Sequence, residues 1–97
     1  MDKRQIEIEG RDNPSRADII EAFANAHDSG NKGIAFFSGD GVLEIKVTGL
    51  EYESGGPGMF IISGYSISPE LVFGYPRGSK VNGFYDANRR TGHLTIG

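Results

Sequence analysis

Between Val42 and Glu53 the chain reads VLEIKVTGLEYE, and its apolar residues change sides part way along. Leu43, Ile45 and Val47 fall on odd positions, Leu50 and Tyr52 on even ones, with the exchange at Thr48-Gly49. Successive side chains of a strand point to opposite faces, so a strand this long keeps one face buried only by absorbing an extra residue at the slip. The pattern predicts a β-bulge or bend at Thr48-Gly49, and a sheet that curls.

The flanking sequence supplies partners for such a strand. Gln5 to Glu9 alternates, with Ile6 and Ile8 on one side and Glu7 and Glu9 on the other. Ile34 to Phe37 is a short apolar run, and SGDG at 38–41 has the composition of a tight turn. GGPG at 55–58 makes the next reversal, and Met59 to Ile67 returns with a segment, MFII, apolar on both sides, as a central strand requires. Leu71, Phe73 and Tyr75 alternate in another extended piece, and Val81 to Asp86 with His93 to Ile96 form a last hairpin.

One stretch has the other period. In NPSRADIIEAFANAHDSGN, Ser15 can cap a helix with Asp18 three residues on, or Asn13 can cap with Pro14 in the first helical position. Ala17, Ile20, Phe23, Ala24 and His27 recur at spacings of three and four and are expected to share the packed face, with Asp18, Glu21 and Asn25 pointing away and Gly30 as the stop. The fold expected is α+β: one N-terminal-region helix on a strongly curved, mainly antiparallel sheet or small open barrel, in the order β-α-β-β-β-β-β. With 97 residues, 37% of them hydrophobic, and 15 glycines, residues 1–97 are read as one compact domain with a thin core.

Several chemistries lack their residues. Without cysteine there is no disulfide framework, thiolate metal site or sulfur nucleophile. His27-Asp28 does not chelate, since neighbours on a helix point about 100° apart, so no metal is expected. SGDG and GGPG open no helix and form no phosphate cradle, so no nucleotide cofactor is expected. Ser38, Ser63, Ser66 and Ser79 stand in no nucleophile-elbow context. The reading is of a protein that is not an enzyme. The longest strongly apolar run, Met59 to Ile62, is too short to span a bilayer and the first residues resemble no signal peptide, which points to a soluble cytoplasmic protein with no membrane partner.

What remains is charge. The net charge is −3, but residues 1–54 carry −5 and residues 55–97 carry +2. Glu7, Glu9, Asp18, Glu21, Glu51 and Glu53 are expected on outward positions, where they form a negative face if their elements lie side by side. A compact acidic domain of this kind binds another protein by covering a basic surface, including one that handles nucleic acid, and so acts as an inhibitor or modulator. In size and charge, though not by motif, it is similar to small phage and mobile-element inhibitors of host machinery. A second reading takes Tyr75, Arg77, Lys80, Tyr85, Arg89, Arg90 and His93 as a basic-aromatic patch for RNA or single-stranded DNA. A third is a structural subunit that assembles through an exposed sheet edge.

Overall fold

The structure is a computed structural model that describes residues 3–26, 33–52, 58–68 and 70–97. Its elements are β1 (Arg4–Ile8), α1 (Arg16–Ala24), β2 (Ile34–Ser38), β3 (Gly41–Tyr52), β4 (Met59–Ser66), β5 (Lys80–Asp86) and β6 (Thr91–Ile96). The strands form one six-stranded sheet in the order β1-β6-β5-β4-β3-β2, every neighbouring pair antiparallel. The sheet curls until its two edges meet, where the Glu9 N–H donates to the Phe37 carbonyl at 3.1 Å. The result is a nearly closed barrel with one helix packed on it.

Curvature comes from two sources. The β3–β4 register shifts between Val47 and Gly49, which is the slip expected from the alternation. Val47 is buried before it, and Leu50 packs against the core after it. The second source is glycine on the inner face. A Cβ on Gly83 would strike the His93 carbonyl and lie 2.8 Å from the Leu94 Cα, and one on Gly92 would strike the Phe84 carbonyl and lie 2.8 Å from the Tyr85 Cα. At these two positions β5 and β6 approach more closely than any side chain allows, and the sheet bends.

The interior is filled by alternate residues of every strand: Ile6, Ile8, Phe36, Leu43, Ile45, Val47, Phe60, Ile62, Val81, Tyr85, Leu94 and Ile96. Helix α1 adds Ile19, which is fully buried. Burial of one such side chain is worth about 2 kcal/mol, so this residue anchors the helix. Ser15 caps the helix with Asp18 in a reciprocal box, as expected. The packed face is met in part: Ile20 and Phe23 pack against the core as expected, but Ala17 and Ala24 are exposed, and Ile19 and Ala26, not expected there, are buried. A nine-residue helix with two adjacent isoleucines leaves the phase of its apolar stripe ambiguous, and the shape of the barrel mouth decides it. His27, Asp28, Gly30, Glu53 and residues 55–57 lie outside the described residues.

The segment 71–75 is not an extended strand. Val72 and Tyr75 exchange hydrogen bonds of 3.0 and 2.9 Å around a two-residue turn in which Phe73 has φ 53° and Gly74 φ 86°. Both values are left-handed, as in a type I′ turn, and the sequence alternation concealed it. The Arg4 guanidinium lies over the Phe73 ring, 5.2 Å from its centre. Among the described residues no helix is long and apolar enough to cross a membrane.

The charge halves of the sequence do not become poles of the molecule. Strand β1, from the acidic half, pairs along its length with β6, from the basic half, and sets Glu7 opposite His93. Arg4 lies 3.9 Å from Asp40, and Arg89 lies 3.8 Å from Asp86. A barrel closed by its terminal strands mixes the two ends of the chain by construction.

Candidate functional site

Where β1 hands over to α1, Asn13 and Pro14 form a buried corner beside β2. The Asn13 carboxamide does there what a neighbouring strand would do. Its Oδ1 accepts from the Phe37 N–H at 2.7 Å, and its Nδ2 donates to the Phe37 carbonyl at 3.2 Å and to the Gly10 carbonyl at 3.2 Å. A side-chain amide carries the same donor and acceptor as a peptide group, so Asn13 closes the sheet edge at Phe37.

Two residues of the last hairpin hold this corner. The Tyr85 hydroxyl donates to the Pro14 carbonyl at 2.5 Å, and its ring meets Phe36 edge-on with centroids 5.1 Å apart. Burial pushes the Tyr85 phenol up to about 12, because the phenolate would lose its water. The Arg90 Nη1 donates to the Arg11 carbonyl at 2.7 Å and to the Asn13 carbonyl at 3.1 Å. Arg90 adopts φ 57°, a conformation that costs a non-glycine residue about 1 kcal/mol. Two charge-assisted hydrogen bonds hold it there.

Beside this corner, between α1 and β2, runs a groove of about 390 Å³. Its walls are Asp12 and Pro14, then Asp18, Glu21, Ala22 and Asn25 from the helix, and Gly33, Ile34, Ala35 and Phe37 along β2. Three carboxylates line it, and none of these described lining residues is Lys or Arg. The Asp18 carboxyl is held below the usual carboxylate range first by the backbone N–H of Ser15, 3.0 Å away, then by the Ser15 side chain, with a smaller contribution from the Arg90 charge. It therefore stays ionised through neutral and mildly acidic pH. The floor is apolar, so the groove suits a chain whose stems are aliphatic and whose tips are cationic.

Of the residues expected to form an acidic face, the structure brings only Asp18 and Glu21 together here. Glu7 and Glu9 lie along the β1 side of the seam with Asp40 and Arg4. Glu51 sits near the far end of β3, beyond its last pair with β2 at Ile45 and opposite Ile61 of β4. Glu53 is outside the described residues. The basic-aromatic group is dispersed as well. Tyr75 and Tyr85 are buried and offer no ring to a ligand. Arg77 and Lys80 lie at the start of β5 and Arg89 and Arg90 beyond its other end. Arg89 faces Asp86, whose Oδ1 also accepts from the Asn88 and Arg89 N–H groups at 2.9 and 3.2 Å. His93 stacks on Phe84 at 6.1 Å on the outer face of the barrel.

Asp12 and the edge of β2 were not singled out from the sequence. Asp12 reaches the groove only because Asn13 and Pro14 turn the chain back beside the helix, and no local pattern announces that turn as a wall. Among the described residues no group of three carboxylates or histidines is placed to hold a metal ion. Compared with known proteins, the chain matches no family model, no curated protein and no solved structure.

Proposed function

We propose that this chain is a non-catalytic binding protein that takes up a basic segment of another protein in the groove between α1 and β2. The observation that supports this most is the lining: Asp12, Asp18 and Glu21 around an apolar floor, with no Lys or Arg among the described walls. Asp18 is shifted downward, opposite to what a general acid near neutral pH needs. Where the captured segment is one by which the partner holds nucleic acid, uptake inhibits that partner by occupying its cationic side chains.

The test is fluorescence anisotropy with a labelled eight-residue peptide that alternates Arg or Lys with Thr and Val, against a sequence-matched peptide carrying Glu in place of the bases. The basic peptide binds, binding weakens at least fivefold as salt rises from low to several hundred millimolar, and Asp12→Asn with Glu21→Gln weakens it at least tenfold at low salt. Equal affinity for the acidic control, or indifference to the double substitution, overturns the proposal. A labelled single-stranded RNA run in parallel tests the nucleic-acid reading: a salt-sensitive shift lost in Arg77→Ala with Lys80→Ala would favour that reading instead.

A further inference from the structure

The β2–β3 hairpin closes on Ser38 and Gly41, and the register runs back through Phe37↔Val42, Phe36↔Leu43, Ala35↔Glu44 and Ile34↔Ile45. In an antiparallel pair only alternate residues turn their N–H and C=O towards the partner strand. Phe37 turns away from β3, since both its backbone groups bond to the Asn13 carboxamide, and Glu9 also donates to its carbonyl. Ala35, two residues earlier, faces the same way. No described residue hydrogen-bonds the edge-facing N–H or C=O of Ala35, and Ala35 forms part of the groove wall. Among the described residues the barrel is thus sealed at Phe37 and left unpaired one ladder step further along the same strand.

Resting on the basic-segment reading above, we infer that the partner binds by strand addition: its backbone pairs with the free edge of β2 at Ala35, and its cationic side chains reach Asp12, Asp18 and Glu21. An unpaired edge at the wall of a groove gives a peptide main-chain hydrogen bonds, and the flanking side chains choose which peptide. The same three carboxylates select the occupant. A second copy of this chain would bring its own β2 edge, with the same three acids beside it, against these acids, and like charges across a ladder oppose pairing. A segment with Lys or Arg on alternate positions reverses that sign. Its other alternate positions, facing Ile34 and Ala22, take small apolar or Thr side chains. Asn13 ends the available edge, so the added strand is short and stops beside Phe37.

Two modifications separate backbone pairing from simple charge attraction. On the peptide side, N-methylation of odd or of even residues removes one alternate set of N–H donors without altering charge. Strand addition predicts that one set costs at least tenfold in affinity and the other less than threefold. On the protein side, Ala35→Pro removes an N–H that the β2–β3 ladder does not use, and it weakens peptide binding about tenfold while circular dichroism stays unchanged. Should this variant misfold, hydrogen exchange at the Ala35 amide of the unaltered protein carries the same question: saturating basic peptide slows it at least tenfold. If Asp12→Asn with Glu21→Gln abolishes binding while both methylated sets bind like the parent and Ala35 exchange is unaltered, strand addition is wrong and the groove reading survives. If no basic peptide binds at low salt, both fall. A self-associated species whose formation protects Ala35 would replace the peptide with a second copy and overturn the choice of occupant.

Discussion

Phe37 and Ala35 stand two residues apart on the same edge of the same strand, yet among the described residues one is sealed and the other has no partner on that edge. Around Phe37 the chain is clasped: the Asn13 carboxamide completes the ladder, Tyr85 holds Pro14, and Arg90 holds the carbonyls of Arg11 and Asn13. Around Ala35 no described residue pairs with the edge-facing backbone, and the groove that it lines carries three carboxylates. Residues that look most like ligand-binding groups in the sequence, an arginine and a tyrosine beside a turn, belong to the sealed region. Those available to a partner are acids spread over ten positions of the chain. A polar side chain already committed to the fold has little left to offer a ligand, so availability, more than residue type, separates the two regions.

The strongest way to break this contrast is to unseal Phe37. Asn13→Ala removes the acceptor for the Phe37 N–H and the donor for two carbonyls in a site that is 1% exposed. Leaving buried groups without partners costs about 2–3 kcal/mol, read as a lower urea midpoint with an unchanged slope. If the midpoint of Asn13→Ala matches that of the parent, Asn13 does not close the edge and the distinction between the two positions disappears.

A smaller effect is expected at the second member of the corner. Tyr85→Phe removes the hydroxyl that donates to Pro14 and lowers stability by about 1 kcal/mol. It also carries a pH signature whose sign follows from burial. The folded phenol is raised to about 12 from its ordinary 10.0, so the folded state holds that proton more tightly than the unfolded chain. Its contribution is fully present below the unfolded value and is lost as pH climbs from about 10 towards 12. Stability measured across that window falls in the parent and falls less in Tyr85→Phe. Equal alkaline slopes would show that Tyr85 ionises freely and is not sealed in.

How much of this was legible beforehand depends on the range of the interaction. The bulge at Thr48-Gly49, the Ser15–Asp18 capping box and the succession of elements along the chain are written in local alternation and spacing, because pleat and helix geometry act over a few residues. The turn at Phe73-Gly74 was misread, since alternation in Leu71, Phe73 and Tyr75 imitates a strand and nothing local marks Phe73 as left-handed. The candidate site was half legible. Asp18 and Glu21 were expected to face outward and do, but their partner Asp12 and the open edge at Ala35 arise from contacts across the chain. Tyr85 meets Pro14 over 71 positions, and Arg90 meets Asn13 over 77, so a cluster that reads as a binding patch in sequence becomes a clasp in space.

The smallest expected effect on stability is the most informative about the open region. Asp12 and Glu21 are both exposed, neither side chain makes a hydrogen bond or ion pair to another described residue, and Asp12→Asn with Glu21→Gln keeps their shapes. Surface changes of this kind stay within about 0.5 kcal/mol of the parent, and removing two like charges close to the Asp18 carboxylate pushes the result towards slight stabilisation. A thermal melt of the double variant should therefore overlay the parent or rise slightly, while its affinity for a basic peptide collapses. Asn13→Ala gives the opposite pairing: a large loss of stability with the groove carboxylates intact. The two variants lie on either side of one strand edge, and the contrast rests on their effects not resembling each other. A groove variant that unfolds the protein would show that the carboxylates belong to the clasp after all.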